Sequence, residues 1–374
     1  MPRLLCLSLV FLLAACGGTA APASQAPASA PAASVSGALQ QLIEGAKKEP
    51  ALKATWSASS FGGAAGIGEM AAAVNKKYGL NIKVTFTPGP DMQSVQAKIA
   101  QELAAGQPAT SDIYLGNAQA MRDALESKTF KSIDWKAILE RPLPADQSAP
   151  FDPYAPNGSG IAIASTITGI TYNDKLLKPE QLPHKMTDLL NPELKGKIAS
   201  TPYAAGWREF ATKDMLGKDA VIDFLRKFTG QVAGLIRCGE EDRITSGEFW
   251  MLAMDCGGQN VRDYQKQGAP LSQVVLDDIT TVHSFYAAVP ANSSAPSSAT
   301  LIAAYIDSAE GQALLHRVWN ADMYTFPDSR QAPAVAKVKS AGGKITVDSP
   351  QWLNAVGDFA QTQKELQDIL ARKG

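Results

Sequence analysis

Tyr203, Trp207 and Arg208 bring two aromatic rings and a guanidinium into one short stretch, Thr201-Pro202-Tyr203 through Gly206-Trp207-Arg208. Either ring can stack on an organic group, and Arg208 can pair with a carboxylate, phosphonate or sulfonate. Trp207 can equally pack a helix onto a sheet. A second stretch, Ser57-Ala58-Ser59-Ser60-Phe61-Gly62-Gly63-Ala64-Ala65-Gly66, sets hydroxyls and glycines ahead of a helix. Ser57, Ser59 and Ser60 there are candidates to hold an anion with backbone N–H groups and the helix dipole. The same residues also suit plain capping and a tight turn, and they lack the G-x-G-x-x-G register of a dinucleotide loop. Gly89 in Pro88-Gly89-Pro90-Asp91 and Asn117 in Gly116-Asn117-Ala118-Gln119 follow strands, and Asn117 can both donate and accept. Gln259, in Asp255-Cys256-Gly257-Gly258-Gln259-Asn260, and Ser284, beside His283, complete the candidate contacts. His184 and His316 read as incidental, and Glu240-Glu241-Asp242 as an acidic first helical turn.

The chain has no G-x-S-x-G elbow, P-loop, H-E-x-x-H or C-x-x-C, and its three histidines are scattered. We therefore expect no enzyme, no cofactor and no metal ligand set. Lys plus Arg is 35 and Asp plus Glu is 36, so no basic excess points to nucleic acid. Hydrophobic residues at 45% and charged residues at 19% are an ordinary globular balance. No apolar run reaches the ~18–20 residues of a membrane-spanning helix.

Arg3 is the only charge before residue 44, and it precedes an apolar stretch from Leu4 to Ala15. That is the length of a signal-peptide core, so residues 1–15 are expected to be a removed leader. Leu13-Ala14-Ala15-Cys16-Gly17 resembles the lipobox of bacterial lipoproteins, which implies that Cys16 carries a lipid. After Thr19 the chain as far as Ser34 is Ala, Pro and Ser with a single Gln. Residues 16–35 thus read as a lipidated cysteine and flexible tether. With Cys6 in the leader and Cys16 lipidated, Cys238 and Cys256 remain; outside the cytoplasm such a pair is expected to form a disulfide, two buried thiols being the alternative.

The elements that must position these residues alternate between strand and helix. Ser36 caps a helix to about Lys47, Leu52–Trp56 is a strand, and a helix runs from about Ile67 to Tyr78. Ile82–Phe86 alternates as a strand, Asp91 caps a helix carrying Val95, Ile99 and Leu103, and Ile113–Leu115 precedes a helix over Ala118–Glu126. After a Pro-rich stretch and an extended Gly160–Tyr172 run, a second series follows. It comprises a strand at Lys197–Ser200, a helix opened by Pro202, a helix over Asp219–Phe228, and strands at Val232–Ile236 and Trp250–Asp255. Extended chain at Val274–Leu276 and Ser284–Val289, one long helix over Ser297–Trp319 and a helical Gln351–Arg372 close the chain. Such alternation predicts an α/β fold with helix-covered, mainly parallel sheets. Two lobes are expected, the first from 36–160 plus 286–374 and the second from 161–285, crossed by extended chain near 161–172 and 284–290.

The passage Thr168-Gly169-Ile170-Thr171-Tyr172-Asn173-Asp174-Lys175-Leu176-Leu177, followed by Asn191-Pro192-Glu193-Leu194-Lys195-Gly196-Lys197-Ile198, resembles the hinge-to-second-lobe passage of periplasmic solute-binding proteins of ABC transporters. The branch it resembles includes ferric-ion binders. Ala105-Gly106-Gln107-Pro108, Ser246-Gly247-Glu248, Lys266-Gln267-Gly268-Ala269-Pro270 and Asp307-Ser308-Ala309-Glu310-Gly311-Gln312 match further pieces in the right order over about residues 50–320. The resemblance implies a two-lobed type 2 periplasmic-binding fold that captures a small solute by hinge closure. It also implies delivery to a membrane permease with its ATPase, by a monomer held on the periplasmic or cell-surface side through Cys16. A sensor in place of the permease is the alternative partner. Ferric-binding members carry an adjacent tyrosine pair near the position of Gln259-Asn260; this chain has no Tyr-Tyr pair anywhere. That departure favours an organic or oxyanionic solute over bare ferric ion.

Overall fold

The computed structural model describes residues 36–357 and 359–371. The expected leader, lipidated Cys16 and tether lie outside the described residues. The described residues form one compact unit, built from two sheets with separate apolar cores.

The first sheet joins β1 (Leu52–Trp56), β2 (Val84–Pro88), β3 (Tyr114–Asn117), β4 (Ile161–Ile167), β10 (Ile279–Ala288) and β11 (Lys344–Val347). β1 and β2 run parallel, and a bridge from Ala54 to Ile113 carries the sheet on to β3. β10 is antiparallel to β3 and β4 and parallel to β11. The second sheet has the order β7 (Val232–Leu235), β6 (Ile198–Ser200), β8 (Met251–Ala253), β5 (Ile170–Asn173), β9 (Leu271–Val274). Its β7-β6-β8 part is parallel, and β5 runs antiparallel to both neighbours. The α/β architecture is as expected, with antiparallel returns where the chain changes lobe.

Helices start where short polar side chains can satisfy free N–H groups. Ser36 accepts from Leu39 N, Asp91 from Ser94 N and Asn117 from Ala120 N. Two expected helices are divided. The run from 297 to 319 is two helices, Pro296–Ile306 and Ala309–Trp319, because the Ser308 hydroxyl accepts from Gly311 N and starts a new one. The C-terminal run divides into Pro350–Ala355 and Phe359–Ala371 across Gly357, whose φ of +75° is left-handed and suits glycine. Pro202 does not open a helix either; that helix begins at Trp207 and ends at Phe210.

The crossings are shorter than expected and displaced. Residues 161–167 belong to the first sheet, so the first crossing is Thr168-Gly169 alone. Residues 284–288 also lie in the first sheet, so the second crossing is 275–278, between β9 and β10. The two strands are stitched where the lobes meet: Thr168 N donates to Thr281 O, and the Thr280 hydroxyl donates to Thr168 O at 2.8 Å. A Cβ on Gly169 would lie 2.7 Å from Val274 O, so the close approach of the crossings requires glycine there. The final helix, expected in the first lobe, packs instead on the second core through Leu366, Ile369 and Leu370, beside Val221 and Leu225. Its buried positions 366, 369 and 370 have helical spacing, so one apolar stripe finds the apolar face of Lys218–Phe228. No described helix is long and apolar enough to cross a membrane.

Candidate functional site

Two adjoining cavities lie between the lobes. One, of about 320 Å³, receives Gln93, Asn117, Thr166, His283, Phe285 and Asp348 from the first lobe side and Tyr203, Ala205, Arg208 and Cys256 from the second. Gln363, on the final helix, closes one end. The other, of about 380 Å³, lies between Ser59, Ser60 and Trp319 on one side and Cys238, Gln259, Asn260 and Tyr264 on the other. Cys256 and Phe285 belong to both. A third cavity of about 240 Å³, near Arg141, His316 and Arg330, takes no residue from the second lobe, so closing the hinge cannot seal it.

The predicted contacts separate cleanly against these walls. Arg208, with its side chain 20% exposed, lines the first cavity. Its Nε donates to Glu209 Oε1 at 2.5 Å and one terminal nitrogen donates to Gln363 Oε1 at 3.1 Å, which fixes the guanidinium at the wall. Tyr203 is the one large apolar side chain among the described residues that stands exposed, at 38%. Asn117 also lines this cavity. Its Oδ1 is taken by Ala120 N and, at 3.4 Å, by Gln93 Nε2, leaving the amide nitrogen as the donor.

Ser59, Ser60 and Gln259 line the second cavity, and the Gln259 Nε2 donates to Cys256 O at 3.1 Å. Its Oε1 is buried without a partner, as is Thr166 Oγ1 on the wall of the first cavity. The amide oxygen can accept a hydrogen bond, and the hydroxyl can donate or accept one.

Four predicted contacts are not on these walls. Trp207 is fully buried among Phe210, Phe224 and Phe228, so its ring packs the second core instead of meeting a solute. Ser284 is fully buried, its hydroxyl donating to Asp348 O at 2.6 Å; on β10 the residues facing the cavity are His283 and Phe285, one position to either side. Ser57 is held by its neighbour, the Ser57 and Ser59 hydroxyls lying 3.0 Å apart. Gly89 serves packing: a Cβ there would lie 2.8 Å from Thr55 Cγ2, and its N–H donates to Trp56 O. The glycine turn before the second helix is likewise steric. Gly63 N donates to Ser60 O, and a Cβ on Gly66 would clash with Phe61 O.

Cys238 and Cys256 are bonded, with Cα atoms 6.0 Å apart, at the ends of β7 and β8. The bond fixes the turn that carries Gln259. Beneath that turn Asp255 is fully buried, and burial raises its carboxyl above the usual range even though Gly169 N, Gly257 N, the Thr171 hydroxyl and Gln273 Nε2 all donate to it. Burial alone would depress His283, but the Asp348 carboxylate, 2.8 Å from Nδ1, outweighs it and raises the imidazole above its ordinary value.

Gln93, Phe285, Asp348 and Gln363 were missed in sequence. They come from a helix flank, a strand centre, the end of β11 and a late helix, none of which has a motif.

The profile of the bacterial extracellular solute-binding proteins matches residues 69–343. The chain belongs to that family. This solute-binding protein is 31% identical over 150 residues to the Fe(3+)-binding periplasmic protein of Serratia marcescens, a stretch covering 39% of this chain and 40% of that relative's length. Its fold is similar to that of iron-bound HitA from Pseudomonas aeruginosa, with a TM-score of 0.62 at 16% identity over 85% of this chain and 99% of the other. An ABC transporter substrate-binding protein from Bradyrhizobium japonicum gives 0.66 at 14% identity, covering 86% and 100%. AgtB from Agrobacterium tumefaciens, solved with agropinic acid, gives 0.59 at 17% identity, covering 86% and 99%. These are two-lobed type 2 periplasmic-binding folds, and the cleft between the lobes of this solute-binding receptor is where its two cavities lie.

Proposed function

We propose that the protein is the extracytoplasmic receptor of an ABC importer, taking a small organic solute with an anionic group into the cleft and passing it to a membrane permease and its ATPase. The observation that carries this reading is the cavity of about 320 Å³ walled by both lobes, with Arg208 fixed at its side and Tyr203 exposed above it. Arg208 would pair with the anion and Tyr203 would stack on the organic part, while Asn117 and Thr166 offer a donor and an acceptor. The extended crossings let the lobes close on the solute, so occupancy and conformation are coupled. The leader and Cys16 support a lipid-tethered monomer, which would hold the receptor at high local concentration beside its permease.

Ferric ion is the second reading, favoured by the likeness to the Fe(3+)-binding periplasmic protein of Serratia marcescens. Against it, Gln259 and Asn260 stand near the place where ferric binders carry tyrosines, and neutral amides are poor ligands for Fe³⁺. A thermal-shift panel of carboxylates, phosphonates, sulfonates, thiamine, polyamines and ferric citrate separates the two. A ligand at 100 times its Kd should add about 2.7 kcal/mol. A shift with one anion class supports the organic-solute reading, and a shift with ferric ion alone refutes it.

A further inference from the structure

At the floor of the cleft, Glu209 from helix Trp207–Phe210, His283 from β10 and Asp348 just after β11 converge. They are far apart in sequence, and each offers a ligand atom within 4.8 Å of the other two. Glu209 is fully buried and Asp348 is 6% exposed, while the His283 side chain is 12% exposed. We propose that Glu209, His283 and Asp348 form a binding site for a divalent transition-metal ion of the zinc class, with an open coordination position toward the cavity.

The independent sign of a missing cation is Glu209 itself. Its Oε1 accepts from Arg208, but its Oε2 is buried with no hydrogen-bond partner. A buried carboxylate oxygen without a donor is costly. Asp255, equally buried, receives four donors. Glu209 instead faces a second carboxylate and an imidazole that pair with each other, and an ion among the three would give its free oxygen a partner.

Each ligand residue is also held from behind, as metal ligands require. The Thr168 hydroxyl is 2.9 Å from His283 Nε2, Ser284 N donates to Asp348 Oδ1 at 2.5 Å, and Arg208 holds Glu209. With Nε2 toward Thr168, Nδ1 faces Asp348 Oδ2 at 2.8 Å, and the ion would take the place of the proton those two atoms share. One imidazole nitrogen with two carboxylate oxygens is a zinc, manganese or ferrous donor set, whereas magnesium and calcium prefer oxygen alone. It is not a ferric phenolate site. Three protein donors fall short of the usual four. His283 and Asp348 line the cavity of about 320 Å³, so water or a donor atom of the solute would take the remaining place. Glu209 belongs to the second lobe and the other two to the first, so the ion would also tie the lobes together beside the crossings.

The test needs no solute, so it stands or falls apart from the transport reading. Zn²⁺ is titrated calorimetrically into the chelator-stripped protein, with Mn²⁺ as a second ion and Mg²⁺ as the control. We expect one Zn²⁺ per chain, at least tenfold tighter than Mg²⁺, and at least a tenfold weakening in Glu209→Gln and Asp348→Asn. His184→Gln and His316→Gln, which alter the other two histidines, should bind as the parent does. Should the buried-site variants not fold, Co²⁺ bound to the parent protein decides: intense visible bands of a four- or five-coordinate ion support the site. The weak spectrum of six-coordinate Co²⁺, no Zn²⁺ preference over Mg²⁺, or unchanged Zn²⁺ affinity in folded Glu209→Gln and Asp348→Asn overturns the proposal.

Discussion

Opening the Cys238–Cys256 bond gives a quantitative check on how the second lobe is held. The two cysteines are 18 residues apart, and the chain between them carries the half-buried Glu240 and the helix Asp242–Thr245. In the chain-entropy treatment, closing a loop of this length removes about 11 cal/mol/K from the unfolded ensemble, or about 3 kcal/mol at 25 °C. The bond joins the ends of β7 and β8, which flank β6 in the parallel part of the second sheet. Reduction should therefore destabilise that sheet without changing the surface it buries. In urea, with a slope of about 3 kcal/mol/M, the double variant Cys238→Ala/Cys256→Ala should unfold at a midpoint about 1 M lower. Because Cys256 walls both cavities, the same variant should bind solute more weakly. A stability loss under about 1 kcal/mol, or two free thiols counted in protein isolated from an oxidising compartment, would refute the reasoning.

Two further outcomes follow from buried groups. Trp207→Ala should cost about 3–5 kcal/mol in chemical denaturation, since it empties a fully buried space between Phe224 and Phe228; a loss below 1 kcal/mol would mean that the indole does not pack there. Asp307 is fully buried with neither carboxyl oxygen partnered, and burial, only partly offset by Arg141, pushes its pKa well above the ordinary value. The unfolded chain ionises this group above about pH 4 while the folded chain keeps the proton, so stability falls by up to about 1.4 kcal/mol per pH unit until the folded value is reached. Asp307→Asn removes that slope, so its stability relative to the parent should rise between pH 4 and 7; a constant difference would show that the carboxyl ionises freely.

Local chemistry made much of the fold readable. Ser36, Asp91 and Asn117 cap helices because each carries an acceptor one turn ahead of a free N–H, and that can be seen in a sequence. Ser308 has the same chemistry, but it sits between two apolar stretches whose spacing runs through it, so periodicity alone merged two helices. The return of helix Phe359–Ala371 to the second lobe was not readable either. An amphipathic stripe states that a helix has an apolar face and leaves open which of two apolar cores receives it.

The site was readable where it rests on strand ends and hidden where it rests on strand centres. Asn117 and Gln259 follow strands and reach the cavities as such turns do. On β10 the alternation of side chains requires that His283 and Phe285 share one face and Ser284 the other. Sequence gives that parity but not its sign, because each face mixes polar and apolar side chains: Val282, Ser284 and Tyr286 on one, Thr281, His283 and Phe285 on the other. The sign is set by Asp348. Its carboxylate accepts from Ser284 N, and its backbone carbonyl takes the Ser284 hydroxyl, which turns Ser284 inward and leaves His283 facing the cleft. A residue 64 positions away thus decides which side chain of β10 meets a ligand. No local pattern around His283 could have supplied that information, because it resides in the parallel pairing of β10 with β11.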